Sequence, residues 1–190
     1  MKYTHFPLLI VLAFILFSCD KPIPRPKGYF RIDVPKRNVV AFDVRQLPYS
    51  FGISKASNLK YDTTGQDRSW LVIEYPRYKA KVLCTYKTIT PAGFRAISEE
   101  NRDFVYRHTV KASAIDAKLF ENPERRVYGV FYDLRGEAAT PLQFMLTDSV
   151  HHYFRGSLYF DCAPQPDSLA PVVKYIKEDI LDLMKTFSWK

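Results

Sequence analysis

The chain has 190 residues, of which 47% are apolar and 15% aromatic, enough to support one packed core and to exclude a chain too polar to fold. Its formal charge is +8, a balance that in a cytoplasmic protein would point to nucleic acid. The opening residues read instead as an export signal. Nucleic acid therefore drops out as a partner, and the counterpart becomes an anionic headgroup, an acidic glycan, an acidic protein or simply water.

That signal starts with Lys2, followed by an apolar block from Phe6 to Phe17 that ends on Ser18 and Cys19. The block is shorter than the roughly 20 residues a membrane-spanning helix needs. A basic tip, a short apolar segment and a small residue at the cut are the parts of a secretory signal. Leu16-Phe17-Ser18-Cys19 resembles a bacterial lipobox, in which Cys19 is acylated and becomes the first mature residue; the alternatives are an ordinary signal peptide with a cysteine near its cut and an uncleaved anchor. With two or three acyl chains on one sulfur, and about 0.8 kcal/mol from each buried methylene, such an anchor is durable. Behind it Pro22, Pro24 and Pro26 alternate. This suits either a semi-rigid polyproline spacer of about 3.1 Å per residue or a disordered tether. The expected division is a signal peptide over 1–18, a lipidated cysteine and proline-rich tether over 19–28, and one domain over 29–190.

The pattern then turns mostly to period two. Phe30, Ile32 and Val34 alternate with Arg31 and Asp33, and Trp70 to Tyr75 forms a strand that stops at Pro76. Ala80, Val82, Cys84 and Tyr86 share one side of the next strand, opposite Lys79, Lys81 and Lys87. Residues 91 to about 109 break the rhythm: Thr90 can cap a helix, Pro91 suits its first position, and Phe94, Ile97, Phe104 and His108 form its stripe. Val127 to Tyr132 is apolar on both sides, as a central strand would be. Arg135-Gly136 marks a hairpin connection to a strand at Leu142 to Thr147. Phe154, Leu158, Phe160 and Cys162 alternate with Tyr153, Arg155, Tyr159 and Asp161.

A last helix places Leu169, Val172, Val173, Ile176, Ile180, Leu183, Met184 and Phe187 on one stripe, all expected to be buried. Ser168 can cap it, Pro171 falls in its first turn, and Lys174 and Glu178 are spaced to pair on its outer face. Runs of strands around two helices indicate an α+β fold, a mainly antiparallel sheet packed against the C-terminal helix and one further helix. Cys84 and Cys162 both fall on inward faces. Export permits a disulfide. The pattern leaves a Cys84–Cys162 bridge and two inert core thiols both open, and leans to the thiols because a bridge also needs Cα atoms within about 7 Å.

Chemistry is sparse. His151 and His152 are adjacent, and strand neighbours point to opposite faces, so they do not readily share a metal. There is no P-loop, no G-x-S-x-G elbow and no H-E-x-x-H. Ser157 lies inside a strand pattern, and Glu99, Glu100 and Asp103 read as a solvated helix face. Glu74, just before Pro76, reads as a strand-end hydrogen-bonding group. No catalytic, cofactor or metal residue is nominated. Thirteen tyrosines are interleaved with arginine and lysine. Tyr153, Arg155 and Tyr159 share one predicted face, a candidate interaction face, although aromatics also simply suit strands.

Several phrases in order, PKGYFRIDVP (26–35), WLVIEYP (70–76), ENPERRVYGVFYDLRGEAAT (121–140), QFMLTDS (143–149), RGSLYF (155–160) and DILDLMKTFSWK (179–190), resemble the gliding motility lipoprotein GldD family of the Bacteroidetes. The likeness runs from about Pro26 to Lys190. It implies a palmitate-bearing, non-enzymatic lipoprotein of the cell envelope, anchored to a membrane through Cys19 and facing the periplasm. It further implies a part in gliding motility and type IX secretion, with other gliding proteins as partners, among them the integral membrane protein GldE. A looser likeness is to PsbP-like α+β domains, at the level of fold only. Two alternatives from other classes are an envelope enzyme acting on glycan or peptidoglycan through Glu74, and a binder of a small apolar ligand between the sheet and the final helix.

Overall fold

The computed structural model describes residues 32–190, apart from 63, 65, 68, 108–111 and 163–165. The expected signal peptide, Cys19 and the proline-rich tether lie outside the described residues. A small sheet is formed by β1 (Val39–Asp43), β2 (Tyr49–Ser54) and, from the far end of the chain, β10 (Ser188–Trp189), with β2 in the middle. Two antiparallel meanders build a larger one. The first is β3 (Asn58–Tyr61), β4 (Trp70–Tyr75) and β5 (Ala80–Thr88). After helix α1 (Pro91–Arg107) comes the second, β6 (Ala112–Asn122), β7 (Val127–Gly136), β8 (Leu142–Thr147) and β9 (His152–Phe160). The meanders join where β9 pairs antiparallel with β5, from Ala80 opposite Phe160 to Thr88 opposite His152. The resulting order is β3-β4-β5-β9-β8-β7-β6. Helix α2 (Pro166–Thr186) completes an α+β fold.

Local chemistry explains the helix that interrupts the meanders. Pro91 occupies the first position of α1, and Thr90 Oγ1 accepts the Gly93 N–H at 3.2 Å. Its buried stripe is shifted from the expected one: Val105 is fully buried, Phe94 and Ile97 pack beneath, and His108 is outside the described residues. Helix α2 starts before Ser168, so Pro171 sits inside it rather than at its opening turn. Gly136, at a φ of 93°, ends β7 in a conformation that favours glycine and turns the chain toward β8. Of the strand expected at Phe30 to Val34, Phe30 and Arg31 lie outside the described residues, and residues 32–34 are not a strand. Residues 32–38 run along the protein with no ladder partner, Ile32 partly buried against the core.

One face of the large sheet is covered by α2 together with the small sheet, and the other by α1. On the inner side Val82, Phe144, Leu146, Phe154 and Leu158 meet Val172, Ile176, Ile180, Leu183 and Met184. Phe187, just past α2, is fully buried and stands among Tyr49, Phe51 and Phe154, with ring centroids at 5.7, 6.0 and 5.2 Å. Close approach is built in at Gly52, whose N–H donates to Thr186 Oγ1 at 2.7 Å; a Cβ there would lie 2.7 Å from Val39 Cγ1 and 3.0 Å from Thr186 Oγ1.

The segment before β1 is strapped to α2 by Arg37, which pairs with Glu178 at 3.3 Å and with Asp182 and reaches to 3.9 Å from Asp179. Lys174 does not hold Glu178 as expected; the strap does. Asp179 is buried, and the hydroxyls of Ser54 and Tyr75 approach its carboxylate without the geometry of a strong hydrogen bond. Burial therefore raises the Asp179 carboxyl above its ordinary range, against the opposing pull of Ser54, Tyr75 and Arg37.

Two outcomes follow for stability. Phe187→Ala empties the junction of both sheets and should cost about 3–5 kcal/mol in a urea melt; a loss below ~1 kcal/mol would show that the junction is not central. For Asp179, the folded chain holds the proton more tightly than the unfolded one, whose value is about 3.9. The protonated acid thus favours folding below that value, and the contribution is lost as pH rises through the raised folded value. The stability of Asp179→Asn relative to the parent should grow from pH ~3.5 to ~7, and a gap that stays flat or shrinks would refute the assignment.

Candidate functional site

A groove of about 720 Å3 opens between the N-terminal half of α2 and the ends of β7 and β9. Leu169 and Val173 of α2 form one wall; Ala138 and Pro141 of the β7–β8 connection and Phe160 of β9 form the other. Six of the eight residues of the α2 stripe are buried as expected. Leu169 and Val173 are only half-buried, because the strand ends opposite them carry small residues and, among the described residues, no element closes over them. Six charged residues, Asp133, Arg135, Asp167, Lys174, Lys177 and Glu178, also line it; Lys177 is held by Asp133 at 2.5 Å and Glu178 by Arg37 at 3.3 Å. A neighbouring depression is lined by Ile32, Asp33, Arg77, Tyr78 and again Leu169. The described chain thus begins beside the groove.

At the opposite end of the sheet the β6–β7 and β8–β9 turns meet the C-terminus. Trp189 stacks on His152 at 5.0 Å and 14° and donates its indole N–H to Arg126 O at 3.2 Å. The Arg125 guanidinium donates to Thr186 O at 2.7 Å. Asp148 Oδ1 accepts the backbone N–H groups of Val150, His151 and His152 at 2.8–3.0 Å, which shapes the turn. Its partial burial favours the neutral acid, but these three donors outweigh it and hold the carboxyl below its ordinary value. Burial holds His152 low as well, with the charges of His151 and Arg126 in the same direction and Asp148 opposing. The histidine pair thus builds a turn. Among the described residues no group of three or more His, Cys, Asp or Glu is placed to hold a metal.

The other residues singled out by sequence have definite places. Tyr153, Arg155 and Tyr159 do share a face of β9, but that face is not free. Tyr153 is 2% exposed under α1, beside Ile89 and Met145, and the Arg155 guanidinium lies 4.9 Å from the Phe104 ring centre of α1. Only Tyr159 reaches an opening, at the groove. The expected three-residue docking face is corrected by the helix that covers it. Cys84 is buried opposite Gly156, and burial pushes its thiol far above the ordinary value. Cys162, expected to point inward, is exposed past the end of β9. Along the strand from Gly156 it is about 20 Å away at ~3.3 Å per residue, far outside bridging range. Both thiols are free. Glu74 sits on an open sheet surface and pairs with Lys60 at 2.9 Å.

Strand alternation alone could not find the groove. A signal was present in the small residues of the β7–β8 connection, Ala138, Ala139 and Pro141, which cannot fill the space opposite a Leu and a Val. Another surface also escaped notice: α1 covers only part of the outer face, leaving Trp70 and Leu83 38% and 40% exposed on β4 and β5. Val72 lies directly opposite Leu83, and the patch is bordered by Lys60, Glu74 and Lys81.

Comparison with known proteins places these features. The family described as gliding motility lipoprotein GldD matches residues 19–189. No curated protein matches the chain. Among solved structures it is similar to the solution structure of cyanobacterial PsbP from Synechocystis sp. PCC 6803, with 10% identity and a TM-score of 0.45 over 90% of this chain and all of that one.

Proposed function

The chain belongs to the gliding motility lipoprotein GldD family, and from that membership we propose that it acts as a lipid-anchored, non-catalytic envelope component of the gliding and type IX secretion apparatus, working through protein contacts. The observation that carries the reading is where the family match starts: at Cys19, the residue that the lipobox-like run leaves as the first of the mature chain. Residues 1–18 are then the signal, 19–28 the lipidated tether and 29–190 the body. The body faces the periplasm, with other gliding proteins, GldE among them, as partners. Among the described residues no helix is long and apolar enough to cross a membrane.

A contact role also suits the surface. Trp70, Val72 and Leu83 form an apolar patch rimmed by charge, the composition of a protein-docking surface rather than of a catalytic cleft. Glu74, the carboxylate an envelope hydrolase would need, is tied to Lys60 on that same open face and lines no cavity among those described here.

In a gliding strain, Cys19→Ala should move the protein from the membrane fraction to the soluble periplasm and abolish gliding. Full membrane retention with normal gliding would remove the lipid from the reading. Leu83→Glu should leave folding and membrane attachment unchanged while reducing in-cell crosslinks to partner proteins. Crosslinks identical to those of the parent would exclude this patch as the contact surface.

A further inference from the structure

We propose that the groove beside α2 is the seat of one acyl chain from the lipid on the protein's own Cys19, an inference that rests on the lipid-anchor reading above. The cavity, about 720 Å3, lies in the range typical of ligand pockets, roughly 300–1,000 Å3. Leu169, Val173, Phe160, Pro141 and Ala138 give it a continuous apolar surface, beside charged side chains that include Asp133, Lys177 and Glu178. Sites for polar metabolites set a few convergent polar groups inside the cavity. Here Lys177 and Asp133 neutralise each other and Glu178 is held by Arg37, which leaves the apolar side chains as the larger share of the surface on offer. An unbranched hydrocarbon chain is the ligand chemistry that asks for no more.

The position of the N-terminal chain decides whose hydrocarbon it is. Leu169 lines both the groove and the adjoining depression, and Ile32 and Asp33, where the described chain begins, lie in that depression. The Tyr78 hydroxyl donates to Asp33 O at 3.3 Å, and the Arg37 strap then commits the following residues to α2. Residues 19–31 can span at most about 40 Å at ~3.3 Å per residue. Cys19 is therefore confined within reach of the groove. A ligand tied by so short a linker acts at an effective concentration in the millimolar range. A chain attached at Cys19 therefore has an advantage over any lipid that must arrive from solution. Its sister chains remain in the bilayer, so occupancy of the groove draws the body toward the membrane with its α2 N-terminal end first and points the basic, Trp189-bearing end away.

The test uses the full-length protein in its own cells, fed a fatty acid that carries a photoreactive diazirine and an alkyne. After irradiation, the mature protein is isolated through the alkyne and its peptides are mapped by mass spectrometry. The expected result is label on Cys19 together with intramolecular adducts in the peptides covering 134–141 and 169–177. Those adducts should disappear in Val173→Trp, which fills the groove. They should also disappear in Ala170→Trp, which blocks its mouth from an exposed position and keeps the test valid if the first variant fails to fold. Label on Cys19 with adducts only to bilayer lipid, or spread over the surface, would overturn the groove assignment and leave the anchor standing. Groove adducts whose mass corresponds to a phospholipid, or to another protein's peptide, would overturn the choice of occupant. A mature protein with no label would overturn the anchor and this inference together.

Discussion

The packing of Phe187 between two sheets is the constraint from which the rest of the architecture follows. Its ring stacks on Phe51 of the small sheet at 6.0 Å and 10°, and meets Phe154 of the large sheet at 5.2 Å. Tyr49 closes the cluster, 4.8 Å from Phe154 and 5.7 Å from Phe187. Aromatic rings combine large buried area with directional contact, so a cluster of this kind fixes position as well as providing stability. It pins the C-terminal end of α2 and, through β10, stitches the end of the chain to β2, where Lys190 N–H donates to Pro48 O at 3.0 Å.

Pinning one end of a helix leaves its other end free to lie at a different depth. In its C-terminal half α2 buries Ile180, Leu183 and Met184 against the sheets, and Gly52 allows β2 to come up against Thr186. Toward its N-terminus Val172 and Ile176 still enter the core, but Leu169 and Val173 meet only alanine and proline across a groove. The Arg37 strap is held by three acidic residues of the same helix, Glu178, Asp179 and Asp182. Helix, groove and the beginning of the described chain are thereby brought to one end of the molecule. The stacked Trp189–His152 pair and the basic turns occupy the other.

Among the described residues, the buried thiol and two of the buried phenols are held in their neutral forms. Burial raises the Cys84 thiol and the Tyr49 and Tyr153 hydroxyls well above their ordinary values, so they stay neutral. Asp179 is the exception, a carboxyl kept in the core beside hydroxyls and under one guanidinium. A buried acid with so few good hydrogen bonds contributes little to stability; its place beneath the strap ties it to positioning the N-terminal segment.

Alternation and helical period, both properties of neighbouring residues, were enough to identify β4, β5, β7, β8, β9, α1 and α2. The elements that sequence missed depend on distant partners. β10 is two residues long and exists because β2 lies beside it, while Phe30 to Val34 alternates like a strand yet its described part, residues 32–34, finds no edge to pair with. The face of β9 that carries Tyr153 and Arg155 looked open because period two says which residues share a side and not what covers it; α1 does. The same limit hid the groove. A helical stripe shows that Leu169 and Val173 belong with the apolar face, but whether that face meets a core or empty space depends on the size of side chains brought opposite from another part of the chain, and only the tertiary structure sets that meeting.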